Sequence, residues 1–170
     1  MANICIVSFE FVFATEEDKL KAFKVFAHTF NQLTSNVGAY IGSDRYLFDP
    51  NLRGVGKTCL VINGWVKWAL EREEIKDILK YLSLISDVRS MSCHYDESSS
   101  DVFGKYVYED NKLLDYYLTP AQFASIYLKA HEDSQDEDDR QDLYDKGLVD
   151  ELADNPTVYV ISSNFKEELE

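Results

Sequence analysis

Cys93 and His94 are the residues whose types most directly suggest catalysis, because a thiol and an imidazole form a nucleophile–base pair in several enzyme classes. Apolar and polar residues alternate around them, which predicts a strand over residues 88–96. Neighbouring side chains on a strand point to opposite faces, so these two cannot hydrogen-bond to each other. We predict that Cys93 faces the core with Met91 and Tyr95, and we assign no catalytic residue.

The glycine-rich stretch NLRGVGKT at residues 51–58 has the chemistry of a phosphate-binding loop but not its context. It is one residue short of a P-loop, with Asn51 where the first glycine belongs. A P-loop needs a strand before it and a helix after it, so that backbone N–H groups hold the phosphates. The sequence CLVING follows instead and indicates a strand and a turn. We interpret the stretch as a connection, and we expect no cofactor.

The carboxylates between residues 133 and 142 could attract a cation. The pattern Asp136-x-Asp138-x-Arg140-x-Asp142 has the alternation of a calcium loop, but an arginine lies inside it, and the central glycine and terminal glutamate are missing. The three histidines and three cysteines show no zinc spacing. We expect weak, nonspecific association with Ca²⁺ or Mg²⁺ and no dedicated metal site.

The net charge of the chain is concentrated at its C-terminal end. The chain has a net charge of −14, and residues 131–170 hold 14 acidic and 3 basic residues, whereas residues 1–130 hold 17 and 14. A surface of one sign repels nucleic acid and anionic membranes and attracts basic proteins over roughly 8–10 Å. The acidic run is interleaved with Leu143, Tyr144, Leu148 and Leu152, which predicts that it is folded against the domain.

Aromatic residues offer a second possible binding surface, since bases of single-stranded nucleic acid stack on such rings. The candidates are Trp65, Trp68, Tyr106, Tyr108, Tyr116 and Tyr117. Proteins of that class surround the rings with Lys and Arg, and this chain has no basic cluster. We predict that these rings pack in the core and on the sheet, and we expect no direct binding of nucleic acid.

Hydrophobic periodicity predicts the elements that position these residues. Thr15 is a helix cap, Asn63-Gly64 predicts a two-residue hairpin, and Thr119-Pro120 with Gln122 predicts a capping box. The acidic segment continues as helix or loop to Gly147, and Asn155-Pro156 ends it. The predicted strands are 4–14, 58–62, 65–70, 88–96, 102–109 and 157–162, and the predicted helices are 16–33, 71–86 and 120–131.

This order of elements predicts an α+β fold, an antiparallel sheet with helices on one face. The 170 residues and 45% apolar content suit one domain, residues 1–170. Within it we expect a ferredoxin-like core over 1–118 and an acidic helical extension with the last strand over 119–170. Sparse, unpaired cysteines, and the lack of a signal peptide or long apolar run, favour a cytoplasmic location and no membrane contact.

Several short motifs in residues 1–112 resemble the YubB-type ferredoxin-like proteins of phages and plasmids. They are Met1-Ala2-Asn3-Ile4-Cys5, Trp65-Val66-Lys67-Trp68 before an amphipathic helix, and Tyr95-Asp96-Glu97 followed by Val102-Phe103-Gly104. The chain departs from that pattern in having Ile at position 4 and no proline after the second tryptophan. The resemblance implies a fold and an origin in a mobile element, and it implies no catalytic residue.

Charge placement and this resemblance together lead to one hypothesis, a non-enzymatic inhibitor that blocks the basic nucleic-acid channel of a host defence nuclease by nucleic-acid mimicry, of the anti-CRISPR or anti-restriction type. The partner-binding candidates are Asp133, Asp136, Glu137, Asp138, Asp139, Asp142, Tyr144 and Asp145. Two alternatives stay open. One is an immunity protein against a basic nuclease toxin. The other is a self-associating module, a possible homodimer through strand 4–14 or 157–162, whose acidic face is incidental.

Overall fold

The computed structural model of the chain describes residues 4–24, 57–67, 70–97 and 100–169. The strands are β1 (Ile4–Phe13), β2 (Cys59–Lys67), β3 (Val88–Glu97), β4 (Val102–Glu109), β5 (Lys112–Tyr117) and β6 (Thr157–Ser162). The helices are α1, described over residues 16–24, α2 (Arg72–Ile85), α3 (Pro120–Asp133) and α4 (Glu137–Asp154), and a 3₁₀ helix spans Phe165–Leu169. The predicted continuation of α1 to residue 33 and the glycine-rich residues 51–56 lie outside the described residues.

The six strands form one antiparallel sheet in the order β2-β1-β3-β4-β5-β6, which confirms the α+β class. Because β2 and β3 both run antiparallel to β1, they are parallel to each other, and α2 connects them across β1. With β1 in the interior of the sheet, it has no free edge for pairing with another chain. The outer strands of this sheet are β2 and β6.

The hairpin predicted at Asn63-Gly64 is wrong, because β2 runs through both residues without a turn. Asn63 pairs with Ser8 and Gly64 with Val7 along the neighbouring strand β1. The Ser8 hydroxyl also donates a 2.6 Å hydrogen bond to Asn63 Oδ1. Continuous pairing with β1 gives the backbone of β2 its hydrogen-bond partners, and this long-range pairing outweighs the local preference of Asn-Gly for a turn.

The main core lies on one face of the sheet, which we call the first face. Alternate residues of β1, from Cys5 to Phe13, are buried there, and the rings of Phe9 and Phe11 stack at 5.6 Å. α1 contributes Ala22 to this core, and α2 covers it with one apolar stripe, Ile75, Ile78, Leu79 and Leu82. Removing these side chains from water, at about 1.5–3 kcal/mol for each large one, supplies much of the driving force for folding.

The prediction that all helices lie on one face is wrong, because α3 and α4 pack on the opposite, second face. They enclose a separate cluster of Leu118, Phe123, Leu148 and Leu152, which contacts Phe103 of β4 and Tyr116 of β5. The side chain of Phe103 points to the second face of the sheet, whereas those of Tyr106 and Tyr108 on the same strand point to the first face. β4 and β5 therefore carry apolar residues on both faces, and both faces have to be covered.

Gly104 of β4 is required by a close approach across the sheet. It pairs with Tyr95 of β3, whose ring lies over it. A Cβ at position 104 would stand 2.5 Å from Tyr95 Cζ, and closer still to the Tyr95 hydroxyl and the carbonyl oxygen of Tyr116. No real Cβ tolerates such contacts, so only glycine at position 104 leaves room for the buried ring of Tyr95.

Replacing this glycine, Gly104→Ala, is expected to lower the free energy of unfolding by about 2–3 kcal/mol, an overpacking effect. The tyrosine ring can rotate away only by leaving its buried position, and the carbonyl of Tyr116 belongs to the paired backbone of β5. Urea unfolding followed by circular dichroism measures the change. A loss below about 0.5 kcal/mol would contradict the packing described for Tyr95 over Gly104.

Candidate partner-binding surface

Residues 120–154, which hold eleven of the 14 acidic residues found after residue 130, form an antiparallel helical hairpin of α3 and α4, called the acidic hairpin below. Gln122 near the start of α3 donates hydrogen bonds to Glu151 Oε1 at 2.9 Å and to the carbonyl of Asn155 at 2.8 Å, both at the far end of α4. The start of α3 has the predicted capping box of Thr119 and Gln122. The base of the acidic hairpin packs against Phe103 of β4 and Tyr116 of β5 through Leu118, Phe123, Leu148 and Leu152.

Asp136 starts α4 by capping it. Its carboxylate accepts hydrogen bonds from the backbone N–H groups of Asp138 at 3.0 Å and Asp139 at 3.2 Å. Glu137, Asp138 and Asp139 occupy the first turn, where negative charge interacts favourably with the helix dipole. The helix that begins here is continuous through Gly147 and ends at Asp154, directly before Asn155-Pro156, where the sequence predicts that the acidic segment ends.

Gly147 lies in the middle of α4 because α3 comes very close to it. A Cβ at this position would stand 2.6 Å from Cγ2 of Ile126 on α3. Glycine in a helix interior is unfavourable by about 1 kcal/mol relative to alanine, and the close contact between the two helices offsets that cost. The hairpin is therefore held together at its centre as well as at its base.

Substituting Gly147 by alanine tests this contact, because the resulting change in stability is expected to have opposite signs with and without the Ile126 side chain. Gly147→Ala alone is expected to destabilise the chain by about 1 kcal/mol, because the new methyl group overlaps Ile126. In the background of Ile126→Ala, the same substitution is expected to be stabilising by about 0.5–1 kcal/mol, since only the gain in helix propensity remains. Thermal unfolding of the native chain, the two single variants and the double variant measures the four stabilities of this double-mutant cycle. Equal effects of Gly147→Ala in both backgrounds would contradict the contact.

All eight predicted partner-binding residues lie on the outer surface of the acidic hairpin or at its tip. The seven carboxylates are exposed and Tyr144 is half-buried. Asp138, Asp142 and Asp145 follow one another at helical spacing along α4. Residues 137–145 hold five carboxylates and one arginine in about 13 Å of helix, which is one net negative charge for each 3–4 Å of helix axis, a density close to that of one strand of duplex DNA.

The helical conformation removes the calcium-loop pattern. Asp136 uses its carboxylate to cap the helix, and residues two apart on a helix point in roughly opposite directions, so Asp138, Arg140 and Asp142 do not converge as they would in a loop. In the part of the chain that the structure describes, no group of three or more His, Cys, Asp or Glu side chains is placed to hold a metal ion.

An aromatic groove between α3 and α4 was not predicted from the sequence. Tyr127 was expected to be buried but is 53% exposed; its ring lies 4.0 Å from that of His131 and 6.3 Å from that of Tyr144. With Asp101 and Glu137, these rings line a groove of about 490 Å³. The four-residue spacing of Tyr127 and His131 was the available signal. Ring faces beside carboxylates suit the side chain of a lysine or arginine.

Carboxylates in and beside this groove give it a negative electrostatic potential. Burial raises the pKa of the Tyr144 hydroxyl, and the charges of Asp101, Asp145 and Asp96 raise it further. The tyrosine stays neutral and able to donate a hydrogen bond, while the surrounding carboxylates favour a cation. Arg140 also lines the groove, and its Nε donates to the carbonyl of Asp136 at 3.2 Å.

The Cys93–His94 pair has the orientation that the strand pattern predicts. Cys93 is fully buried on the first face, and His94 is exposed on the second. Burial raises the pKa of the Cys93 thiol well above its usual value and raises the pKa of Cys5 to about 11. Partial burial, and then Lys105, lower the pKa of His94. A protonated thiol that faces away from the imidazole cannot form a nucleophile–base pair with it.

The aromatic residues proposed as a stacking platform lie on different faces. Tyr106 and Tyr108 are buried in the core of the first face, as predicted, and Tyr117 packs against the same core. Tyr116 is on the second face under the acidic hairpin. The side chain of Trp65 and all of Trp68 lie outside the described residues. The described tyrosines are held by packing and do not form one exposed surface.

A buried carboxylate, Asp115 of β5, was also not predicted from the sequence. It is 2% exposed and accepts hydrogen bonds from the Tyr95 hydroxyl at 2.7 Å and from Arg72 Nε at 2.8 Å. The Arg72 guanidinium lies 4.0 Å from the centre of the Tyr159 ring. This network joins the first turn of α2 to the centre of β5. It lies on the first face, whereas the acidic hairpin is on the second, so it is not part of the acidic surface.

Comparison with known proteins identifies no relative. No protein-family model, curated protein or solved structure matches the chain. Over the described residues, the structure contains no helix that is both long and apolar enough to cross a membrane.

Proposed function

We propose that this chain is a binding protein that inhibits a basic, nucleic-acid-handling protein by placing the acidic hairpin in its nucleic-acid channel. The observation that carries the proposal is the dense, exposed set of carboxylates on the first three turns of α4, whose net charge per length of helix axis is close to that of a nucleic-acid strand. An acidic segment that is already folded as a helix binds at a lower entropy cost than a flexible acidic tail does, because it is ordered before binding.

The proposed partner is a host defence nuclease of the restriction or CRISPR type, and the chain is proposed to act in the cytoplasm of the host cell. The resemblance of residues 1–112 to YubB-type ferredoxin-like proteins supports an origin in a phage or another mobile element. In this proposal, residues 1–118 are a ferredoxin-like core and residues 119–170 are an acidic extension added to it. The split arrangement of β2, α2 and β3 around β1 is consistent with such a core.

An immunity protein against a basic nuclease toxin is the second candidate, and the same electrostatic feature supports it. The two differ in the partner, a defence nuclease of the host in the first case and a basic nuclease toxin in the second. Both require the carboxylates of α4 to make contacts. If they only keep the chain in solution and cap α4, neutralising them leaves binding unchanged.

Affinity capture from bacterial lysate at about 0.05 M salt tests the proposal, with bound proteins identified by mass spectrometry. The native chain is expected to retain basic nucleic-acid-binding proteins, and about 0.5 M salt is expected to release them. Proteins retained equally at both salt concentrations would contradict an electrostatic interaction.

The capture needs a variant that loses these carboxylates and the neighbouring ones at the tip while keeping the fold. The acidic hairpin variant carries Asp133→Asn, Asp136→Asn, Glu137→Gln, Asp138→Asn, Asp139→Asn and Asp142→Asn. Asparagine caps a helix about as well as aspartate does, so α4 still begins at residue 137. The matched control neutralises six exposed carboxylates elsewhere, Glu10→Gln, Glu16→Gln, Glu73→Gln, Asp77→Asn, Glu109→Gln and Glu167→Gln, and reaches the same net charge.

A further inference from the structure

β6 forms an unprotected edge of the sheet. Among the described residues its backbone pairs only with β5, and Thr157–Ser162 contains no charged side chain. Val158, Tyr159 and Val160 are 48%, 48% and 54% exposed. Natural edge strands commonly carry lysine, proline or a bulge that prevents pairing with another chain. Here such features lie only at the ends, where Pro156 precedes the strand and a register shift falls between the pairings of Val160 and Ser162.

We propose that β6 is a dimer interface, where it pairs antiparallel with β6 of a second copy of this chain. Edge strands that meet in this way are related by a two-fold axis perpendicular to the sheet, which keeps each face of one copy on the same side as that face of the other. Residues opposite each other must then point to the same face. One residue of β6 therefore lies opposite the same residue of the other copy, and the two-fold axis passes between these two equivalent residues.

The sequence of β6 selects Tyr159 as that residue. Centring on Tyr159 places Val158 opposite Val160 of the other copy, twice, on the second face. It also places the two Tyr159 rings side by side on the first face, where each already lies over an Arg72 guanidinium. Centring on Val158 would place Pro156, which has no N–H, opposite Val160 and lose a backbone hydrogen bond.

Salt separates this interface from the proposed function, on which it does not depend. Each copy has a net charge of −14, so two copies repel each other at low ionic strength, although the paired strands themselves are uncharged. Self-association is therefore expected to strengthen with added salt. Binding of a basic partner to the acidic hairpin is expected to weaken with added salt. A result that contradicts the dimer therefore does not contradict the proposed inhibition, and the reverse also holds.

Sedimentation equilibrium of the full chain tests the proposal, between about 1 and 300 μM and at about 0.05 and 0.5 M NaCl. The native chain is expected to change from monomer to dimer with concentration, with a lower dissociation constant at high salt. Val160→Lys, which puts a charge on the edge, is expected to raise that constant at least about ten-fold. Val149→Lys on α4, at a similar exposure of 59%, is the matched control and should dimerise like the native chain.

A native chain that stays monomeric throughout would overturn the proposal, as would a Val160→Lys variant that dimerises as well as the native chain. Cross-linking tests the register separately. In a Cys59→Ser background, in which the remaining native cysteines are buried, Tyr159→Cys is expected to form a disulfide-linked dimer on mild oxidation. The two Cα atoms would lie about 4.5–5.5 Å apart, within reach of a disulfide. Val158→Cys is expected to form much less of the disulfide-linked dimer. Equal yields of this dimer from the two variants would contradict the register centred on Tyr159.

Discussion

Neutralising the acidic hairpin is expected to weaken binding to the captured basic protein by at least about 100-fold at low salt. Each exposed carboxylate that meets a lysine or arginine contributes about 0.5 kcal/mol, and six such losses sum to roughly 3 kcal/mol. The substituted residues are Asp133, Asp136, Glu137, Asp138, Asp139 and Asp142, all exposed on the hairpin or at its tip. Isothermal titration calorimetry or surface plasmon resonance measures the change.

The control variant with six neutralised carboxylates outside the hairpin is expected to bind within about three-fold of the native chain. It has the same net charge as the hairpin variant, so a difference between the two reports the position of the charges and not their total. The slope of log affinity against log salt should also become shallower in the hairpin variant alone. Equal losses in both variants would mean that net charge, and no particular surface, attracts the partner.

Removing the buried carboxylate, Asp115→Ala, is expected to lower the free energy of unfolding by about 3 kcal/mol. The substitution leaves the buried hydroxyl of Tyr95 without its acceptor and the guanidinium of Arg72 without its ion-pair partner. The side chain of Arg72 is 38% exposed and regains water, which keeps the loss at the lower end of the range for buried ion pairs. Urea unfolding monitored by circular dichroism measures it.

Asp77→Ala on the exposed side of α2 is the matched control for this substitution and is expected to change stability by less than about 0.5 kcal/mol. The double variant Arg72→Met with Asp115→Ala should cost at least about 1 kcal/mol less than the sum of the two single changes, because both remove the same ion pair. Additive effects would show that Arg72 and Asp115 do not stabilise each other.

Elements that are specified by nearby residues could be predicted from the sequence. Thr15 and Thr119 begin helices as their side chains predict, and the alternation in β1 correctly identifies the buried side of that strand. Each of these features depends on residues within a few positions of one another. The same holds for the opposite orientation of Cys93 and His94, which follows from strand geometry alone.

Features that depend on distant contacts could not be predicted in the same way. Asn63-Gly64 has the local preference of a turn, but pairing with β1 keeps it in a strand. Asp115 gives no signal in its own neighbourhood, because its partners Arg72 and Tyr95 come from α2 and β3. The placement of helices on both faces depends on which residues of β4 face α3 and α4, and this becomes clear only once the strand order is known.

The candidate site was predicted in its charge but not in its shape. The density of carboxylates after residue 131 is visible in the sequence, and all seven of the predicted carboxylates are exposed in the structure. The groove beside them depends on the crossing of α3 and α4 at Gly147, which turns Tyr127 toward solvent. Helical periodicity placed Tyr127 in the core because it cannot show which side of α3 a second helix will cover.

The most direct test of the central claim is competition with nucleic acid for the captured partner. Basic proteins from lysate are bound to the immobilised native chain at about 0.05 M salt, and an excess of short duplex DNA or of RNA is then added at the same salt concentration. If the acidic hairpin occupies the nucleic-acid channel, the oligonucleotide is expected to release the partner into solution. A partner that binds the oligonucleotide while it stays on the immobilised chain would contradict mimicry, because the two binding sites would then be separate.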